Sequence, residues 1–257
     1  MNEMYRQIRR RARALLHEMP TPLFYEEQKG AIDLSRKCFD ENRRVQALIE
    51  HLEAELEEDF GHGFFHSEKV AVEAGAIAHL ERNGNGNSGH VIFKAHVAGL
   101  LHDTMRKHPD HAEKGAIYAE NLLPDFGFST DEISEIAHAI RHHEAFRACA
   151  SKAPSGEDAP LLSGALYDAD KFRWGPDNFS HTVWDMVSFA DIPLPLFINH
   201  YPKGLEGLKR IKGTFRTQTG KTYGPNFIDI GLVVGEKLHE IITHEFVPEH
   251  TPPQGAI

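Results

Sequence analysis

Cysteine is nearly absent from the chain, with two in 257 residues. Cys38 and Cys149 lie far apart and share no Cys-x-x-Cys spacing, which excludes a disulfide framework and points to reduced thiols in a cytosol. Positive charge is also short: 28 Lys and Arg stand against 38 Asp and Glu, a net charge of −10. That balance argues against a general nucleic-acid binder, because such domains are usually basic. No apolar run approaches the roughly 20 residues of a membrane span, so no membrane partner is expected. The opening stretch "MNEMYRQIRRRARALL" is basic but has no apolar signal-peptide core, and reads as an exposed amphipathic helix end. Internal repeats and runs of alternating strand pattern are missing too.

The positive pattern is helical. Apolar periodicity predicts helices over 2–19, 24–58, 66–82, 90–103, 111–123, 130–148, 161–173 and 226–247. Loops are expected at "NGNGNSG" (83–89) and "SKAPSGEDAP" (151–160), irregular chain at "DIPLPLFINHYPKG", and a Pro-rich tail at the end. Ser129 and Glu132 have capping-box spacing, with Phe128 and Ile133 at staple positions. With 40% apolar residues the chain can bury a sizeable core. The expected fold class is all-α, with an N-terminal helical extension (1–55), a helical core (56–185) and a C-terminal cap segment and helix (186–257), all packed as one domain.

Histidine is abundant. There are 18, and 11 of them fall between His62 and His143. Residues three, four or seven apart share a helical face. By that rule His66 joins Val70, Ala74 and Ile77. His102 joins Val91, Ala95 and Ala98, with Asp103 next to that stripe. His111 joins Gly115, Tyr118 and Leu122. His143 falls with Ile133, Ile136 and Ile140, while His142 points away. Asp170 continues Leu162 and Leu166, while Asp168 faces out. Several helices thus aim an imidazole or a carboxylate inward, and a divalent cation between bundle helices would satisfy them together.

In order and spacing, "HSEKVAVEA" (66–74), "AGLLHD" (98–103) and "LYDADKF" (166–172) resemble the H…HD…D signature of the HD-domain superfamily of metal-dependent phosphohydrolases. The resemblance covers roughly residues 60 to 175 and implies an all-α HD-domain bundle with one or two divalent metals at its centre. It implies His66, His102, Asp103 and Asp170 as ligands of a first metal. "HAEKGA" (111–116) and "AIRHHE" (139–144) resemble segments of the binuclear members, which would add His111 and His143 around a second ion bridged by Asp103. The chain departs from the family's HDxGK pattern: Met105 stands in place of glycine and Arg106 in place of lysine.

Imidazole and carboxylate together suit Mn, Fe, Co, Ni or Zn. The implied activity is hydrolysis of a small phosphate ester, a nucleotide foremost. A di-iron oxygenase and a non-catalytic HD signalling domain are the alternatives. Asp103 is expected at the reacting centre, and Arg106 and Lys171 as phosphate clamps, with Lys107, Arg141 and Arg147 as lesser candidates. Glu144 is a candidate for proton transfer; His62, His96 and His138 are set outside the ligand set. The basic strip 203–221 is expected to form a substrate-side cap, with "TQTGKTYGPN" as its mobile lid. The sequence leaves homo-oligomerisation open.

Overall fold

Residues 3–53, 63–82, 88–147, 154 and 156–246 are described by the computed structural model. The expected loops at 83–89 and 151–160 are only partly among them, and the tail beyond 246, His62 and Cys149 lie outside them. The described chain is all-α, with no strand. Its helices are α1 (Glu3–His17), α2 (Leu23–Glu27), α3 (Lys29–Glu41), α4 (Arg43–Leu52), α5 (Phe64–Glu81), α6 (Gly89–Leu101), α7 (His111–Leu122), α8 (Thr130–Arg141), α9 (Ala159–Phe172), α10 (Val183–Phe189), α11 (Leu194–Ile211) and α12 (Gln218–Glu245).

The centre is an α5–α6 pair, joined by α9. Every residue from Val91 to Leu101 is buried, as are nearly all of α9 and the middle of α5 from Val70 to Ala78. Small side chains permit this. A Cβ on Gly99 would stand 2.4 Å from the Cα of Ala71, so the two backbones touch where only hydrogen fits. Around this pair one apolar cluster runs from Tyr5 of α1 to Ile242 of α12. In α1, Tyr5, Ile8 and Ala12 face the cluster at helical spacing, and the basic residues of the opening stretch lie mainly on the outer face.

Four expectations of the sequence are corrected here. The single helix expected over 24–58 is three short helices as far as residue 53, and its last five residues lie outside the described ones. Asn42 breaks it, its extended backbone and side-chain oxygen capping Arg44 N and Val45 N at the start of α4. The helix begun by the capping box at Ser129 and Glu132 stops at Arg141, not near 148. His142 Nδ1 donates to His138 O and His143 Nδ1 to Ile140 O, so two side chains satisfy the last carbonyls in place of another turn. The segment around "LPLFINHYPKG" is helix α11, despite Pro202 inside it. An interior proline costs about 3 kcal/mol, which the buried stripe of Phe197, Tyr201, Leu205, Leu208 and Ile211 offsets. The proposed lid is the first turns of α12, with Thr217 as its cap.

His96, on α6, is fully buried away from the other histidines discussed above. The Ser35 hydroxyl donates to Val72 O and is left to accept from His96 Nε2. Burial, with Arg36 nearby, pushes the imidazole pKa down to about 3. His96 is neutral in the fold but protonated in the unfolded chain below about 6.5. Stability should therefore fall as pH drops from about 6.5 toward 3. In denaturant titrations across that range, His96→Asn should flatten the slope relative to wild type.

Candidate metal centre

His66 enters from the first turn of α5. His102 caps the C-terminal end of α6, and Asp103 follows it in the turn. His111 opens α7, His143 lies two residues beyond α8, and Asp170 comes from the last turn of α9. All six are buried, none more than 7% exposed. They form two groups with the composition and spacing to hold a metal ion: His66, His102 and Asp170, and Asp103, His111 and His143.

The donor distances fit a shared ion. Ligands held about 2.0–2.2 Å from one metal sit roughly 3–3.5 Å from each other at tetrahedral or octahedral angles. His66 Nε2 and His102 Nε2 are 3.3 Å apart, and Asp170 Oδ1 is 3.6 and 3.7 Å from them. Asp103 faces both groups. Its Oδ2 is 3.6 Å from His102 Nε2 and 3.9 Å from His66 Nε2, while its Oδ1 is 3.6 Å from His111 Nε2 and 3.5 Å from His143 Nε2.

The backbone fixes which nitrogen each ring presents. His102 Nδ1 donates to Gly99 O at 2.8 Å and His143 Nδ1 to Ile140 O at 2.6 Å. In that tautomer Nε2 carries a bare lone pair aimed at the centre, as a metal-bound imidazole requires. The electrostatics agree. Burial alone would depress the His102 pKa, but Asp103 and Asp170 outweigh it and raise it. Burial also opposes the charge on Asp170, yet Lys171, His102 and His66 hold its pKa well below the usual range. His111 is pushed down to about 4, first by burial and then by Arg106 and His143, against the pull of Asp103.

The other expected residues divide. Arg106 Nη1 donates to His111 Nε2 at 2.8 Å, and the side chain is about one-third exposed in the wall of a cavity beside the centre. Lys171 is buried, its ammonium on Asp170 Oδ2 and over the Tyr167 ring, so it braces a ligand outside the cavity wall. Arg141 pairs with Glu113 and Glu120, and Arg147 with Glu144. Glu144 Oε1 is 3.8 Å from His111 Nδ1. His138, on α8, and His142, just past its end, pack against each other with tilted rings. Asp168 does not face out as expected. It points away from the centre but is fully buried, and accepts from Arg216 N, Thr217 N and the Thr217 hydroxyl at 2.7–2.8 Å. Burial lifts its pKa to about 6 against those bonds. The far face of α9 is thus covered by the start of α12, where a Cβ on Gly220 would collide with Asp168.

No family model matches the chain, and no curated protein matches it. Among solved structures the chain is similar to a predicted HD superfamily hydrolase from an uncultured Thermotogales bacterium. The two are 23% identical, over 84% of this chain and 91% of the other, with a TM-score of 0.41.

One group beside the centre escaped the sequence reading. Glu73 and Arg173 form a buried ion pair between α5 and the end of α9, joined by the Tyr25 hydroxyl, which donates to Glu73 Oε1 at 2.6 Å. Asp177 bonds Arg173 and also Lys69. Burial raises the Glu73 pKa although Arg173 and Lys69 oppose it; the Arg173 pKa is raised because Glu73, Tyr25 and Asp177 outweigh its burial. The signal was available: Glu73 is seven residues after His66 and Arg173 three after Asp170, each on the face of its ligand. The pair ties together the helices that carry two donors. Removing one partner of a buried pair leaves the other charge uncompensated. Glu73→Ala should lower unfolding stability by on the order of 3 kcal/mol, measured by urea denaturation.

Proposed function

We propose that the chain is an HD-domain metal-dependent phosphohydrolase that cleaves a small phosphate ester. The observation that carries this reading is Asp103, whose two oxygens face two separate groups of buried donors. On this reading His66, His102, Asp103 and Asp170 would hold a first divalent ion, and His111, His143 and Asp103 a second. The mixed nitrogen and oxygen donors suit Mn, Fe, Co, Ni or Zn. A bound ion supplies Lewis acidity that draws the pKa of water toward neutrality and neutralises phosphoryl charge.

The protein's own groups do the positioning. Lys171 fixes Asp170 by holding its second oxygen. His102 and His143 are locked by backbone carbonyls, so their rings need no reorganisation when loaded. Arg106, partly exposed in the cavity wall, turns from His111 to the phosphoryl oxygens, where a guanidinium binds two at once. The water oxygen bonds to phosphorus as the ester P–O bond breaks. The alcohol oxygen leaves with the bonding pair and takes the proton the water gives up, yielding alcohol and inorganic phosphate. No described helix is long and apolar enough to cross a membrane; a cytoplasmic enzyme is the reading adopted here.

Asp103→Ala should bring metal content to background and cut phosphate release at least about 100-fold, read by mass-spectrometric metal analysis and a mono- and diester panel with Mn. Undiminished metal would sink the proposal. Turnover that requires dioxygen and two tightly bound irons would reassign the centre to an oxygenase. Separately, His143→Ala should reduce metal content and activity far more than His142→Ala, whose Nδ1 donates to His138 O. Equal losses in the two proteins would contradict this assignment.

A further inference from the structure

Beside the centre lies a cavity of about 410 Å³ whose wall includes His66, Asp170 and Arg106 at one side. This exceeds the ~150 Å³ that holds a benzene ring and lies within the ~300–1,000 Å³ of small-molecule sites. The rest of the wall comes from the chain beyond α9, and it is overwhelmingly apolar: Trp174, Phe179, Val187, Phe197 and Leu208 are among its members. Its polar members beyond α9 are Arg173, Asn178, Thr182, His200 and Tyr201, and three of them are engaged. The Tyr201 hydroxyl donates to Gly235 O, His200 Nδ1 to Leu196 O, and Arg173 is bound within its ion-pair network. The basic strip expected to face the substrate turns other side chains inward: Gly204, Leu205 and Leu208 line the cavity, while Lys209 pairs with Glu206 and Lys212 with Asp229.

We infer that this cavity holds the organic body of the ligand, and that this body is apolar: an aryl or medium-chain alkyl alcohol esterified to phosphate. The inference rests on the phosphohydrolase reading for the phosphate half alone. A nucleoside would bring several donors and acceptors against this wall, and each one left unpaired costs affinity. An aryl or alkyl body leaves none unpaired and gains from every apolar surface it covers. The continuity of the wall with His66 and Asp170 sets the ester oxygen at the centre when the body fills the cavity.

Gly204 provides the test. It sits within α11, lines the cavity, and a Cβ there meets nothing within 4 Å. Gly204 is exposed, so Gly204→Phe sets a ring at the rim of the cavity, without backbone strain and with a gain in helix propensity. Calorimetric titration of 2-naphthol into metal-free wild-type protein should show binding, and Gly204→Phe should weaken it about tenfold or more. With Mn, kcat/KM for 2-naphthyl phosphate should exceed that for AMP by about tenfold or more, and the advantage should vanish in Gly204→Phe while metal content stays unchanged. Absent naphthol binding, with AMP cleaved as well as the naphthyl ester, would overturn the inference and leave the phosphohydrolase reading standing. Naphthol binding that is lost in Gly204→Phe, with no ester cleaved, would support the apolar site and overturn the phosphohydrolase reading. A change in oligomeric state on substitution, without naphthol binding to wild type, would assign this face to a second copy of the chain and overturn the inference.

Discussion

Electron pairs that face each other repel, and the centre of this fold gathers them. Four imidazole Nε2 atoms and three carboxylate oxygens converge with separations of 3.3 to 3.9 Å. At least two of the rings cannot turn a proton inward without breaking a bond to the backbone, because Gly99 O and Ile140 O hold His102 and His143 by Nδ1. A proton or a metal ion between these donors would relieve that repulsion. The protein offers partial substitutes: Lys171 on one oxygen of Asp170 and Arg106 against His111. Neither lies among the donors of the first group, and the upward push on the His102 pKa expresses the charge still wanted there. The rest of the structure follows from keeping these groups dry and in place.

The contrast with the neighbouring charge network is instructive. Glu73 and Arg173 are just as deeply set, with Tyr25, Asp177 and Lys69 half-buried around them, but here donors and acceptors alternate, and the carboxylates are answered by guanidinium, ammonium or hydroxyl. Each carboxylate in it has a cationic partner without any added ion. The two networks share α5 and α9, one turn or two apart on the same faces. One ties the helices together; the other uses the register so fixed to aim His66 and Asp170. A loss in the first should therefore register as stability, and a loss in the second as ligand binding.

Helical phase made part of this legible from residue order. His66, His102 and Asp170 lie on or at the ends of regular helices with strong apolar stripes, so spacing alone turned them inward. Phase failed where a helix ended early. His143 faces the centre, but from two residues past α8, where its own ring closes the helix. Phase also failed for Asp168, since a helix face turned from the centre is exposed only if nothing covers it. Here Thr217 and Arg216, some 50 residues away in sequence, do so. The breaks at Asn42 and Thr217 are capping chemistry that a charge-rich or Gly- and Thr-rich stretch conceals. In α11, the prolines obscured an apolar stripe at ordinary helical spacing.

That last misreading matters most for chemistry, because α11 decides what can approach the centre. As irregular chain, its lysines would define a positive strap. As a helix, it separates faces: the lysines go to solvent and to neighbouring carboxylates, and Leu205 and Leu208 go to the cavity. Charge for an anionic group then comes from the centre itself and from Arg106, while the cap contributes apolar surface. The phosphate end would be recognised by ions and a guanidinium that any phosphate ester could engage. Discrimination between esters would then be left to the apolar wall, where each added contact or misplaced polar group would shift binding by about 1–3 kcal/mol. A charged centre and an apolar cap would in this way divide reactivity from selectivity along one chain.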